Sequence, residues 1–184
     1  MDAPLLDASD MSRLAGVVAV SGVFFYMYYA FMQLGPSARM SNKSEAQVQW
    51  GSRAFGNLHE QAPTFLLALW SHALFVSPDS AAALGAAWLV FRAAYPILWM
   101  LGHGFTPKIL FSTIPMYGIC LYMMAATVCS ACLGKSLVRA FLGSHTLGCV
   151  VGSLAFYAHF QLLGTVNERV KAFFTRAPAG GRKI

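Results

Sequence analysis

Charge is scarce in this sequence, and what there is sits between long stretches that have none. Only 11% of the 184 residues are charged, against roughly 25% in an ordinary soluble protein. No Asp, Glu, Lys or Arg falls between Arg13 and Arg39, Glu60 and Asp79, Lys108 and Lys135, or Arg139 and Glu168. A bilayer core about 30 Å thick takes roughly 20 apolar residues of helix at 1.5 Å each. Gaps of that length exclude a soluble domain. A basic leader is lacking too: Asp2, Asp7 and Asp10 precede a lone Arg13, which is the wrong charge for a cleaved signal peptide. The first apolar stretch therefore reads as a retained span. Cysteine is sparse, and Cys120, Cys129, Cys132 and Cys149 all lie in apolar sequence. The CxxC spacing of Cys129 and Cys132 has no second Cys/His pair beside it, so it reads as packing rather than metal or redox chemistry. No internal repeat is present.

What is there is apolar helix. Spans are expected at Leu14–Leu34, Gln61–Val76, Ala81–Leu101, Ile109–Leu133 and Phe141–Leu163. The second helix should start earlier, near Ser44, since no breaker but two isolated glycines intervenes before Pro63 and Ser is a good cap. The expected fold is all-α, a polytopic membrane helix bundle. Its parts are a short acidic segment (1–13), a four-helix membrane domain (14–133), an additional fifth C-terminal span (134–167) and a basic tail (168–184). Lys and Arg divide nine against three between the two sides. Arg39, Lys43, Arg53, Lys108 and the five basic residues of the tail face Arg13, Lys135 and Arg139. Basic loops stay cytoplasmic, so the amino terminus is expected to be lumenal and the carboxyl terminus cytoplasmic, in the endoplasmic reticulum or another organelle membrane. The net charge of +6 then suits anionic lipid headgroups rather than nucleic acid. Ser144, Gly148 and Gly152 repeat at four-residue spacing on the fifth span. Such a row lets backbones approach closely in lipid, within the chain or between copies.

Ionisable groups at membrane depth are costly and point to function. One set is Arg53, Asn57 and Glu60, which share a helix face within about 60° at 100° per residue. A cation, an amide and a carboxylate over two turns suit a zwitterionic, peptide-like ligand; the alternative is an interfacial helix with its charges in water. The second set is Arg92 and Tyr95, three apart in the third span, followed by Pro96, which cannot donate to the Arg92 carbonyl. Arg92 must turn inward, and Glu60 is the expected counter-ion in a buried structural pair.

The pattern Arg53-x-x-x-Asn57-x-x-Glu60-x-x-Pro63 followed by Arg92-x-x-Tyr95 resembles the MAPEG superfamily, the membrane-associated proteins of eicosanoid and glutathione metabolism. The resemblance covers about Leu14 to Leu133. It implies a four-helix protomer in a homotrimer and glutathione as co-substrate, held by Arg53, Asn57, Glu60 and Tyr95. The implied activity is that of a glutathione transferase or peroxidase acting on lipophilic electrophiles. Several family positions differ here. Gln49-Trp50 stands where Glu-Arg is common, Leu58 where some members carry an acid, Trp99 where a second Tyr recurs, and Thr106 where one branch has a thiol-activating Arg. Lys108 and His103 are the nearest substitutes for that cation. These departures leave open a non-catalytic accessory subunit of a larger membrane complex.

A third reading is a b-type haem protein. His145 and His159 lie fourteen apart, within about 40° of one helix face, as two stacked haems would need. The potential partners His59 and His72 are thirteen apart and point about 220° away from one another, so the second pair of ligands is incomplete.

Overall fold

Serine and glycine punctuate the helices, and a proline lies inside each of the first four long ones. In the computed structural model, residues 8–175 are described except 103, 105 and 142. Side chains of residues 8–11, 169–170 and 172–175 are outside that description. The elements run α1 (Ala8–Met40), α2 (Glu45–Phe75), α3 (Pro78–Leu101), a single 3-10 turn (Pro107–Ile109), α4 (Leu110–Leu133), the short α5 (Leu137–Ala140) and α6 (His145–Thr175). The chain is an all-α bundle, with no strand among the described residues. Ser44 opens α2 through a capping box: its hydroxyl accepts the Gln47 N–H while the Gln47 side chain takes the Ser44 N–H, satisfying two orphan donors at once. Ser77 caps α3 ahead of Pro78, the residue whose missing N–H costs nothing at a first turn. Gly134, at φ 61°, closes α4 in the left-handed region.

Four helices are long and apolar enough to cross a membrane: Ser12–Met40, Pro78–Leu101, Pro107–Leu133 and His145–Glu168. The expected second span, Gln61–Val76, does not qualify by that measure, because the helix containing it is polar over its first half. Yet α2 has 31 residues and buries side chains from Val48 to Ala73 against α1, α3 and α4. Packing on its neighbours, rather than apolarity toward lipid, keeps it in the bundle.

The core is aromatic. Phe65 of α2 stacks on Trp88 of α3 with centroids 3.9 Å apart, and Phe24 of α1 leans on both. Around them Val17, Leu58, Leu69, Met116 and Met123 are sealed from solvent. Where α1 crosses α2 the backbones touch. A Cβ on Gly51 would stand 2.6 Å from the Gly35 nitrogen, closer than any side chain tolerates.

The small-residue row of α6 is spent inside the chain. Gly148 lies against the Tyr122 ring, and a Cβ on Gly152 would stand 2.5 Å from the Gly118 carbonyl oxygen of α4. Ser144 instead caps the helix, accepting the Leu147 N–H at 3.1 Å. A hydrogen bond of 2.9 Å between the Tyr122 hydroxyl and His145 Nδ1 fastens the start of α6.

Candidate functional site

The site is built on one flank, where the first half of α2 meets the second half of α3. Arg92 is fully buried, and its guanidinium is held twice by α2. Nη1 donates to the Asn57 side-chain oxygen, and Nη2 donates to the Ala54 carbonyl at 2.9 Å. The guanidinium also lies 4.4 Å over the ring of Tyr95, in cation–π range. Tyr95 is only 2% exposed. The buried pair expected of Arg92 and Glu60 is replaced by this arrangement: Arg92 makes no hydrogen bond to Glu60, whose side chain is exposed. Asn57, one turn before Glu60 on α2, is partly buried, and its neutral oxygen meets the cation. Glu60 remains within electrostatic reach of Arg92.

From Tyr95 the contacts run on toward the bundle end. Tyr95 and Trp99 have centroids 6.1 Å apart, and the Arg53 guanidinium stands 5.9 Å over Trp99. Trp50 donates its indole N–H to the Pro96 carbonyl at 2.9 Å, tying the two helices again. Arg53, Trp50, Trp99, Lys43 and Gln47 line a cavity of about 990 Å³. A polar seam therefore runs from this cavity, past Arg53, Trp99, Tyr95 and Arg92, to Asn57. Gln61 supports it from below, donating to the Asn57 oxygen at 3.3 Å. With that oxygen engaged by both Arg92 and Gln61, Asn57 has only its amide N–H groups to offer a ligand.

The proposed thiol-activating residues fare differently. Lys108 turns its ammonium toward the Leu101 carbonyl at 3.5 Å. Thr106 buries its hydroxyl beside Gly102 with no hydrogen-bond partner among the described residues. His103 lies outside the described residues.

Tyr117 of α4, outside both motifs, is half-buried and stacks on Phe156 of α6 with centroids 4.1 Å apart.

Three of the histidines, His59, His72 and His145, are engaged in hydrogen bonds within the bundle. His72 is buried, with Nε2 paired to the Ser80 hydroxyl at 3.0 Å and Nδ1 facing the Met123 carbonyl at 3.3 Å. That leaves no ring nitrogen for an iron. His59 pairs with the Tyr28 hydroxyl at 2.6 Å, and His145 with Tyr122. No group of three or more His, Cys, Asp or Glu that could hold a metal ion occurs among the described residues.

Compared with known proteins, the chain matches the family model described as "MAPEG family" over residues 14–129. No curated protein and no solved structure matches it. The matched region takes in most of α1, all of α2 and α3 and most of α4, and with them both motifs; α6 lies beyond it.

Proposed function

Since this chain belongs to the MAPEG family, we propose that it binds glutathione through Arg53, Asn57, Glu60 and Tyr95 and transfers it slowly to a lipophilic electrophile dissolved in the membrane. Family membership supports a membrane function in glutathione or eicosanoid metabolism. The observation that carries the finer reading is the seam itself, in which buried Arg92 fixes Asn57 while Arg53 and Glu60 stay exposed on the same flank.

Glutathione carries two carboxylates, one ammonium and a thiol. Arg53 would take a carboxylate in a charge-assisted, bidentate contact. Glu60 would take the ammonium. Asn57 would donate its amide N–H to a carbonyl or carboxylate oxygen, the only polarity left to it. Tyr95 would contribute mostly as the platform under Arg92. In this scheme the buried guanidinium never touches the ligand; it holds a neutral amide in one rotamer. Exposed Arg53 and Glu60, just before the expected second span, also call for a polar cover rather than lipid tails. A second copy would supply one, in keeping with a homotrimer.

Chemistry requires the thiolate. A thiol of ordinary pKa near 8.5 is only about 3% ionised at pH 7. Of the nearby cations, Arg92 is committed to Asn57 and Ala54, Lys108 is turned to Leu101, and Arg53 would hold a carboxylate. Slow turnover follows. Glutathione binding measured by calorimetry on detergent-purified protein, with conjugation of an aryl halide and reduction of a lipid hydroperoxide followed separately, tests the proposal. Binding with measurable turnover supports it. Binding with none favours the accessory subunit, and no binding at all overturns both the ligand and the site.

A further inference from the structure

We propose that Lys43, in the turn between α1 and α2, takes the glycine carboxylate of glutathione and so makes the site selective for a ligand with a charge at both ends. This rests on the glutathione reading above. It adds a residue from outside both motifs and says which end of the tripeptide each cation holds.

Two carboxylates call for two cations, and Arg53, Asn57, Glu60 and Tyr95 supply only one. A carboxylate without a counter-charge loses the strong, charge-assisted part of its binding. Arg92 is committed to Asn57 and Ala54, and Lys108 is turned to Leu101. Lys43, by contrast, lines the same cavity of about 990 Å³ as Arg53, and no carboxylate occurs among the described residues that line it. Its side chain is exposed, and its ammonium makes no hydrogen bond or ion pair among the described residues. The nearest acid in the chain, Glu45, accepts from Gln49 at 3.5 Å instead. Trp50, another lining residue, has already given its indole N–H to Pro96. A cavity with two cations and no anion suits an anionic ligand.

The Lys43 backbone is fixed from both sides. Asn42 stands in the left-handed region at φ 50°, which asparagine tolerates better than most side chains. Its N–H donates to the Arg39 carbonyl at 3.1 Å, and the Lys43 N–H donates to the Ala38 carbonyl at 2.9 Å. These are the two bonds of a Schellman closure at the end of a helix. Ser44, the next residue, is the cap of α2. Lys43 therefore sits where one helix is closed and the next is opened, and Ala38, which anchors it, lines the cavity too.

The spacing suits a tripeptide. Arg53 and Glu60 share one face of α2, so they can serve the carboxylate and the ammonium that share one carbon at the γ-glutamyl end. Lys43 lies ten residues before Arg53, about 15 Å at 1.5 Å per residue. An extended tripeptide covers about 10 Å of that, and the flexible four-carbon stem of a lysine covers the rest. The glycine carboxylate is the group at that far end. Held there, the Lys43 ammonium is not available to the sulfur, in keeping with slow turnover.

The test measures binding of glutathione and of its glycine carboxamide, in which that one carboxylate is neutral, to the full chain in detergent. The unaltered protein is compared with Lys43→Met, Lys43→Arg and Arg53→Ala. The unaltered chain is expected to bind glutathione about tenfold more tightly than the amide, the difference of one charge-assisted contact. Lys43→Met should lower glutathione affinity about tenfold and leave amide affinity within about twofold, so that the preference disappears, while Lys43→Arg should keep it. Arg53→Ala should weaken both ligands and preserve their ratio. Equal binding of the two ligands by the unaltered chain overturns this inference alone. So does a Lys43→Met variant that keeps the preference, whether both affinities fall together or neither changes. Loss of the preference in Arg53→Ala, with Lys43→Met unaffected, would give the glycine carboxylate to Arg53 instead. Failure of the unaltered chain to bind either ligand removes the earlier reading, and this one with it.

Discussion

Arg92 of α3 donates a hydrogen bond to the side-chain oxygen of Asn57 of α2, and this contact joins the two sequence motifs that lie 35 residues apart. A buried guanidinium whose two terminal nitrogens are taken by a neutral amide and a backbone carbonyl, with Nε unpaired among the described residues and an aromatic face beneath it, is a positioning device more than an ion pair. It costs desolvation of one charge rather than recovering that cost by meeting another. What it secures is the rotamer of Asn57 and the spacing of α2 and α3, on which every other residue of the flank depends.

The first prediction concerns that contact. Arg92→Leu should destabilise the protein by about 2–4 kcal/mol, since it leaves the Asn57 oxygen and the Ala54 carbonyl short of a donor. A double-mutant cycle with Asn57→Leu should show coupling above about 1 kcal/mol, and a cycle with Glu60→Gln should show much less. Thermal unfolding in one detergent reads both; strong coupling to Glu60 instead would restore the ion pair as the main contact.

Ligand affinity and rate should separate. Arg53→Ala or Glu60→Ala is expected to weaken glutathione binding by about tenfold or more, the loss of one charge-assisted contact. A cation introduced by Thr106→Arg should leave affinity nearly unchanged and raise turnover about tenfold, by moving the thiol from about 3% toward half ionised at pH 7. Calorimetry and steady-state rates check the two effects independently. Fast turnover by the unaltered protein, insensitive to Lys108→Ala, would mean that another group activates the sulfur.

The α4–α6 crossing should be intolerant of bulk. Gly152→Leu places a side chain where even a Cβ would stand 2.5 Å from the Gly118 oxygen, so α6 should lose its seat while α1 to α4 keep theirs. Limited proteolysis between Lys135 and Ser144 would then speed up markedly, with helical content nearly intact. Unchanged cleavage would show that α6 is held by other contacts.

Assembly is the fourth prediction. Native mass measurement in mild detergent should give a homotrimer, because Arg53 and Glu60 are exposed on a flank that lipid covers poorly. A monodisperse monomer that binds glutathione as tightly as any larger form would contradict a shared site.

The last prediction is topological. With nine basic residues on one side against three on the other, the tail from Glu168 onward should be cytoplasmic and the amino end lumenal. Protease digestion of sealed vesicles should remove the tail and spare the amino end. The reverse pattern, or both ends accessible together, would change either the orientation or the number of crossings.

Much of the fold was legible because the signals were local. Three of the charge-free stretches mark helices long and apolar enough to cross a membrane, the Ser44 and Ser77 caps mark where α2 and α3 begin, and Arg53, Asn57 and Glu60 were placed on one face by arithmetic alone. The expected second span does not stand out by its own hydropathy, and α2 is kept in the bundle by contacts along its length. The partner of Arg92 was misread for a related reason. Charge complementarity suggested Glu60, but Asn57 and Glu60 are turned about 60° from one another and stand one turn apart along α2, and where α3 crosses α2 decides which acceptor the guanidinium meets.

By itself the sequence determined the solvent this chain lives in, the extent of its helices, the presence of a cation–amide–carboxylate face and the family to which it belongs. Those follow from composition, from hydrogen bonds that close within four residues and from motif spacing. Only the tertiary structure decided that Arg92 is held by Asn57 and that the small residues of α6 are used on α4. The physical reason is that a helix's own periodicity fixes which residues share a face but not which neighbour that face meets. In a bundle of apolar helices many rotations bury similar area. The choice among them rests on a few close contacts, Gly51 on Gly35, Gly152 on Gly118 and Phe65 on Trp88, whose partners are far apart in the chain.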